Sequence, residues 1–510
     1  MNPFVFEDKR PIVETSKGKL RGVTYGEVNI FMGIEYAHAR RFHMPEEPAP
    51  WEGVKNAYQH GPVAMQAMEV KPFFYYRGLH MLEKQSEDCQ NLNIWAPKTK
   101  DGEKKPVFVW IHGGGFFGGN AFEEISFDGF RMAHYGDVVF VSINHRLNIA
   151  GFLNLEDYGE EFWNSGNAGL CDLVMAMKWI HENISAFGGD PENVTICGHS
   201  GGGGKVQCLY QIEEAAPWFQ RGICLSGARA AGFGSPSDTR ENSRRTAKAI
   251  LDELGITKEN IDKIYEIPYS ALVDACWKVA NPFVVSPISN DYFPGFPAIA
   301  GLQPFSKHKP ILYGSVLGEF PFCKLTAEEK AAMSEEDWRA YYRESLGESS
   351  DEIIALFREA YPDHELQDLA YLDCRCRLGA LLSAREHAAA GCEDVYMFLA
   401  AYTVPEDGRV PIWHGGEVAF IFMNEDKVLV LNDAENGQKY ADILSGMVLN
   451  YVRTGDPSIS LLPKWEKVRP GKDWTMIIDR TCRCAEGHDA ELMKRYAEVA
   501  PKFVLKLPKA

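Results

Sequence analysis

Gly198-His199-Ser200-Gly201-Gly202 follows the apolar, β-branched run Val194-Thr195-Ile196-Cys197 and precedes a segment that reads as a helix. A strand that turns sharply into a helix holds the turn residue on a strained backbone corner, so the positions two before and two after it must lack a side chain. Gly198 and Gly202 meet that requirement. The spacing thus confines this stretch to a strand, a sharp turn and a helix, with the Ser200 hydroxyl presented at a sheet end where a nucleophile stands. A glycine-rich loop with an incidental serine gives the same five letters, so the turn alone does not decide between the two.

A serine that attacks a carbonyl leaves negative charge on the oxygen, and glycine N–H groups approach that oxygen most closely. His112-Gly113-Gly114-Gly115-Phe116 offers such donors. It follows Pro106-Val107-Phe108-Val109-Trp110-Ile111, short and apolar enough for a buried parallel strand, so its loop leaves at the carboxyl edge of a sheet. Gly114, Gly115 and Gly201 are the candidate oxyanion donors. Two glycine turns, each behind a buried-strand pattern and in this chain order, argue for catalysis on an α/β fold.

Two other readings of the glycines fail. Gly113, Gly115 and Gly118 spell a dinucleotide fingerprint with Asp137 further on, but Phe116 and Phe117 stand where a helix should open and no better βαβ fingerprint precedes them. Gly201 to Gly204 followed by Lys205 resembles a phosphate loop, yet His199 replaces its first glycine and Val206 its magnesium-binding hydroxyl residue.

With 510 residues, 45% of them hydrophobic, the chain can bury a substantial core, and one α/β domain spanning 1–510 accounts for it. Lys and Arg number 53 against 71 acids, a net charge of -18, which repels phosphate backbones and anionic lipid surfaces. Nucleic acid is therefore not an expected partner. The stretch from Met1 to Arg10 has early acids and no apolar core, and no run of about eighteen apolar residues follows; a soluble, cytoplasmic monomer or small homo-oligomer is expected. Many of the 12 cysteines, among them Cys171, Cys197, Cys208 and Cys224, sit in apolar or helical segments and behave as small hydrophobes. Cys374 with Cys376 and Cys482 with Cys484 would make a four-thiolate site only with an unusual one-residue gap, so neither metal nor cofactor is called for.

Leu20 to Tyr36 alternates as antiparallel strands do; strands at 106–111 and 137–143 then alternate with helical stretches up to the serine turn. From 239 to 389 the pattern becomes helix-rich, interrupted by a strand at Pro310-Ile311-Leu312-Tyr313-Gly314-Ser315-Val316. This region is expected to cover the active-site mouth within the same domain.

A serine hydroxyl is a weak nucleophile and needs a base, which needs an orienting acid. Of 14 histidines, His387 lies in an alanine-rich helix, and His364 and His488 lie in charged segments. His414, in Trp413-His414-Gly415-Gly416-Glu417 after Val410-Pro411-Ile412, has the small-residue loop a mobile base requires. For the acid, Glu319 and Asp291 both lie between serine and histidine; the strand pattern before Glu319 is the better of the two, and a turn or capping carboxylate is the alternative for either.

These motifs resemble those of type-B carboxylesterases, the family of carboxylesterases, cholinesterases and bacterial nitrobenzyl esterases. Glu87-Asp88-Cys89-Gln90-Asn91-Leu92-Asn93, Asn144-His145-Arg146-Leu147, Gly166-Asn167 with Gly169-Leu170 and Asp172, Phe187-Gly188-Gly189-Asp190-Pro191, His414-Gly415-Gly416-Glu417-Val418, Thr454-Gly455-Asp456-Pro457 and Trp465 extend the likeness nearly end to end. The resemblance implies an α/β-hydrolase fold with a large, mostly parallel sheet flanked by helices, and a triad of Ser200, Glu319 and His414. It implies hydrolysis of uncharged acyl or aryl esters through an acyl-serine. A lactonase, thioesterase or amidase would use the same triad, and a binding module would keep the fold without the chemistry.

The chain departs from that pattern where the family has glutamate before the serine and alanine after it; here stand His199 and Gly201. The missing carboxylate removes a charge that favours cationic substrates. His199 is either a second proton carrier or a structural residue turned away from the pocket by the turn. Met65 stands where secreted members have the cysteine that pairs with the equivalent of Cys89, which removes that bridge. Phe116, Phe117, Phe283 and the cluster Phe73-Phe74-Tyr75-Tyr76 are candidate linings of an apolar pocket, with His199 beside them.

Overall fold

Alternation along one short strand organises the molecule. Val107, Val109 and Ile111 point into one hydrophobic layer, Phe108 and Trp110 into the other, and all five are fully buried, as in a sheet covered by helices on both faces. The computed structural model describes residues 10–66, 84–100, 102–229, 239–279, 285–320, 325–406 and 408–500. Phe73 to Tyr76 and Phe283 lie outside the described residues.

The main sheet has eleven strands: β1 (Val23–Tyr25), β2 (Val28–Glu35), β3 (Asn91–Pro97), β4 (Lys105–Ile111), β5 (Val139–Ile143), β6 (Gly189–His199), β7 (Arg221–Leu225), β8 (Ile311–Val316), β9 (Val395–Ala400), β10 (Trp474–Ile478) and β11 (Arg483–Glu486). They lie side by side in the order β11-β10-β9-β8-β7-β6-β4-β5-β3-β2-β1. The block from β10 to β5 is parallel, and antiparallel pairs close both ends. Strands expected at 106–111, 137–143 and 310–316 are β4, β5 and β8, and the alternation from Leu20 contains the hairpin of β1 and β2.

Helices α1 (Ala168–Asn183) and α2 (Gly201–Leu209) pack on the Val107 face. In the helix-rich region, α3 (Arg240–Glu253) starts on a Thr239 side chain that accepts from the Asn242 N–H at 3.2 Å, a normal N-cap. With α4 (Tyr269–Val279) it joins the same layer through Ile250, Leu251 and Leu272. Helices α5 (Glu335–Leu346) and α6 (Ser350–Ala360) instead build a separate cluster around Trp338, Tyr342, Phe357 and Tyr496. The region is thus two groups of helices divided by β8, and α7 (Cys374–Ala389) runs back along β8 and β9. On the opposite face lie α8 (Gly416–Ile421) and α9 (Gly437–Thr454).

Two motifs far apart in sequence meet in one buried ion pair. Arg146, after β5, donates from Nε and Nη2 to Asp172 of α1 at 2.9 and 2.7 Å, and its backbone N–H donates to the same carboxylate at 2.9 Å. A third donor, Nη1, reaches the carbonyl of His43 at 2.7 Å. Since the pair is 3% and 0% exposed, removing one member leaves a buried charge unpaired. Asp172→Ala should lower unfolding free energy in a denaturant titration by about 3–5 kcal/mol, far more than loss of an exposed pair such as Lys248 with Asp252.

Candidate active site

Ser200 sits immediately after β6 with φ 56° and ψ -122°, a conformation that costs a non-glycine residue energy unless its surroundings enforce it. The surroundings do so by backbone contact. A β-carbon on Gly198 would overlap the carbonyl of Gly202, and one on Gly202 would overlap the carbonyl oxygen of Ile111 at the end of β4. The Ser200 N–H donates to the Leu225 carbonyl of β7 at 2.8 Å. The serine turn is thereby wedged between two strands, and helix propensity has little part in it.

The loop 112–115 arches over the same corner. Gly114 and Gly115 have φ of 81° and 64°, the left-handed region that glycine enters without strain. A β-carbon on Gly201 would overlap the Gly115 backbone, so the two turns touch. The N–H groups of Gly114, Gly115 and Gly201 donate to no acceptor among the described residues. No helix opens after Gly118, which excludes the dinucleotide reading, and Asp137 instead pairs with Lys105 at 2.7 Å.

Glu319 and His414 reach the corner from two further connections. The Gly318 N–H donates to the Ile412 carbonyl at 3.0 Å, and Gly318 pairs with Trp413 in a parallel bridge. That bridge sets the two following side chains facing each other, and His414 Nδ1 lies 2.5 Å from Glu319 Oε2. The other carboxylate oxygen accepts from Ser226 Oγ at 2.6 Å and from the Val316 N–H at 3.0 Å. Burial pushes the Glu319 carboxyl up, while Ser226, Val316, Arg375 and Cys376 hold it back. Burial likewise drives His414 well below its ordinary range, so the imidazole is neutral. With Nδ1 engaged by the carboxylate, the ring presents Nε2 as an acceptor for a hydroxyl proton. Asp291, the other acid between serine and histidine, is exposed.

His199 is turned into the site. Its ring packs on His414 with centroids 4.4 Å apart, and its Nε2 lies 3.9 Å from Glu417 Oε1. Glu417 is 1% exposed, neither of its carboxylate oxygens has a hydrogen-bond partner among the described residues, and burial together with Glu319 raises its pKa well above the ordinary range. Burial and His414 lower His199. At neutral pH these shifts favour an uncharged acid and an uncharged base beside the Glu319–His414 pair. Phe116 is buried against Phe152 and Phe296, while Phe117 is half-buried beside Gly115.

Ser226 and Glu417 escaped the sequence reading. Ser226 follows β7 with φ 47°, and its only sequence signal is a small hydroxyl residue in Leu225-Ser226-Gly227 at a strand end. Glu417 carries a clearer one, an acid in the otherwise apolar turn that begins α8. Cys376 does not join Cys482 and Cys484: among the described residues, the one group able to hold a metal is Glu319, Cys376 and His414, which is the acid–base pair itself.

The Carboxylesterase family model matches residues 9–495. The chain belongs to the carboxylesterase family. It is 30% identical over 488 residues to the para-nitrobenzyl esterase of Bacillus subtilis, covering 92% of this chain and 94% of that one. Among solved structures it is similar to an esterase from anaerobic Clostridium hathewayi that can hydrolyse aliphatic aromatic polyesters, with TM-score 0.91 and 37% identity over 98% of this chain and 99% of that one. It is also similar to a carboxylesterase of Geobacillus stearothermophilus, with TM-score 0.73, 31% identity, and coverage of 95% of this chain and 100% of that one. The protein is an ester-hydrolysing enzyme with the α/β-hydrolase fold.

The Ser226 hydroxyl favours the ionised form of Glu319, so its loss raises the Glu319 pKa further. With Glu319 as the orienting acid that the sequence leads one to expect, kcat/KM should rise with pH along an acid limb. Ser226→Ala should move this limb to higher pH and lower kcat at neutral pH by about tenfold, with KM little changed, as stopped-assay pH profiles would record.

Proposed function

We propose that the esterase hydrolyses uncharged acyl or aryl carboxylic esters through an acyl-serine formed on Ser200, with His414 as base, Glu319 as its orienting acid and the Gly114, Gly115 and Gly201 N–H groups as oxyanion donors. The observation that carries this is the buried 2.5 Å bond between Glu319 and His414, whose ring packs at 4.4 Å on His199, the neighbour of a serine held at φ 56°. As the bond from Ser200 Oγ to the carbonyl carbon forms, the hydroxyl proton passes to His414. The carbon–oxygen bond to the alcohol then breaks, and the alcohol leaves with that proton. Water, deprotonated by His414, adds to the acyl group and releases the acid.

Neutral substrates are favoured because the residue before the nucleophile is a histidine held uncharged by burial, and Glu417, 3.9 Å from that histidine, is held protonated. No carboxylate charge there draws a cationic alcohol into the site. The nitrobenzyl and aromatic polyester activities named for two relatives support an aryl-tolerant site. The ten described cysteines are free thiols, which supports work in a reducing compartment such as the cytoplasm. No described helix is long and apolar enough to cross a membrane.

Nitrophenyl esters of increasing acyl length, assayed beside Ser200→Ala and followed by intact mass after a serine-reactive phosphonate, test the proposal. A single adduct and turnover, both lost in the mutant, are expected. Glu319→Gln should lower kcat by about 10⁴-fold and Asp291→Asn should leave it unchanged. A folded wild-type protein with neither turnover nor adduct would exclude the mechanism, and turnover confined to thioesters, lactones or amides would redirect the substrate class.

A further inference from the structure

Lys205 has no part in the mechanism above, yet it is completely buried one helical turn beyond the serine. A buried ammonium is costly unless hydrogen-bonded and electrostatically compensated, and what compensates this one lies at the oxyanion turn. Its Nζ donates to the carbonyl of His112 at 3.2 Å, the residue that leads into Gly113-Gly114-Gly115. The His112 ring, through Nδ1, bonds the next carbonyl, that of Gly113, at 2.9 Å. At the far end of the loop, Gln66 brackets Gly119, accepting from its N–H at 2.8 Å and donating to its carbonyl at 3.1 Å. Phe116 lies between, its ring centroid 5.8 Å from Nζ.

The helix that carries Lys205 is also the one that begins with Gly201. Gly202 is what allows that helix to seat its backbone on the carbonyls of Ile111 and His112; Lys205 reaches back along the same contact. One side chain therefore spans the two segments that bear the oxyanion donors. We infer that Lys205 is a positioning residue of the oxyanion hole: bonded to the His112 carbonyl, it holds Gly114 and Gly115 in register with Gly201 and sets a buried positive charge behind the point where the attacked oxygen becomes negative. A fixed charge in a water-excluded site acts most strongly on the state in which the opposite charge has developed. The inference rests on the assignment of these glycines in the proposed mechanism.

Burial pulls the Lys205 ammonium down to about 7, with Glu123 and Cys208 opposing. The ionisable groups that face it are Glu123 from the loop after the oxyanion turn, His112 from the end of β4, Cys208 from its own helix, and His145 from the end of β5. His145 is stacked on His112 at 5.2 Å and is kept neutral by burial and by Lys205 itself. Because the ammonium is present below its pKa and lost above it, its contribution to kcat disappears as pH rises through that value.

The decisive comparison is Lys205→Met, which keeps length and removes charge, measured with a nitrophenyl ester and with a trifluoromethyl ketone whose adduct carries an oxyanion. The expected result is a kcat at least tenfold lower, KM within twofold of wild type, and a loss of ketone affinity matching the loss in kcat/KM. The wild-type kcat should also fall on the alkaline side of its pH profile, and the variant should lack that fall. Phosphonate labelling of Ser200 separates the two ideas: a wild type that is never labelled defeats the serine mechanism, whereas a labelled wild type and a variant with unchanged ketone affinity defeat the role of Lys205. Should Lys205→Met not fold, Glu123→Gln tests the same point, because removing that compensating carboxylate lowers the lysine pKa and must move the alkaline fall to lower pH. An unmoved profile would overturn the inference.

Discussion

Backbone lies directly on backbone at the carboxyl end of the parallel strands, and the site depends on that contact. Gly202 touches the carbonyl of Ile111, Gly227 the carbonyl of Ser200, Gly198 the carbonyl of Gly202 and Gly201 the backbone of Gly115. Each approach is closer than any β-carbon permits. Side chains normally hold neighbouring segments several ångströms apart, and their removal here lets three connections of the sheet converge on one serine. The strain stored at Ser200 is affordable because the neighbouring strands and helix leave the turn no other place to go.

Polar burial behind this corner follows a different rule. Arg146 with Asp172 and Arg377 with Asp489 are buried ion pairs, each joined by more than one hydrogen bond. Around Glu319 burial instead favours uncharged forms, lowering His199 and His414 and raising Glu417. The scaffold spends its buried charge on welding distant motifs together. Beside Glu319, which is bonded on both carboxylate oxygens, the paired charge is that of Arg375 with Asp373 at 2.8 Å.

Much of this was legible in the sequence because it is written in local patterns. Strands β4, β5, β6 and β8 announce themselves as short apolar runs, and the glycines at 198, 202, 114 and 115 report backbone demands that no other residue satisfies. His414 stands out as the histidine in a small-residue loop and Glu319 as the acid behind the better strand pattern, and the structure brings the two into contact. What escaped are residues whose meaning comes from a partner 93 positions away in the chain. Ser226 reads as an ordinary strand-end serine until Glu319 is folded against it. Lys205 looked like the remnant of a phosphate loop, and only the path of β4 shows that its amine is spent on the His112 carbonyl. The strand that divides the helix-rich region was readable, but which core each group of helices joins was not, since local periodicity predicts helices and not their partners.

The bridge between Gly318 and Trp413 has a bearing on how the molecule responds to motion. Glu319 and His414 sit on separate loops, yet one backbone hydrogen bond and one carboxylate couple them, and the end of β7 joins them to the serine corner, where Leu225 accepts from Ser200 and Ser226 donates to Glu319. Thermal displacement of either loop carries its partner along. A displacement of that strand end is therefore felt at the serine and at the carboxylate together.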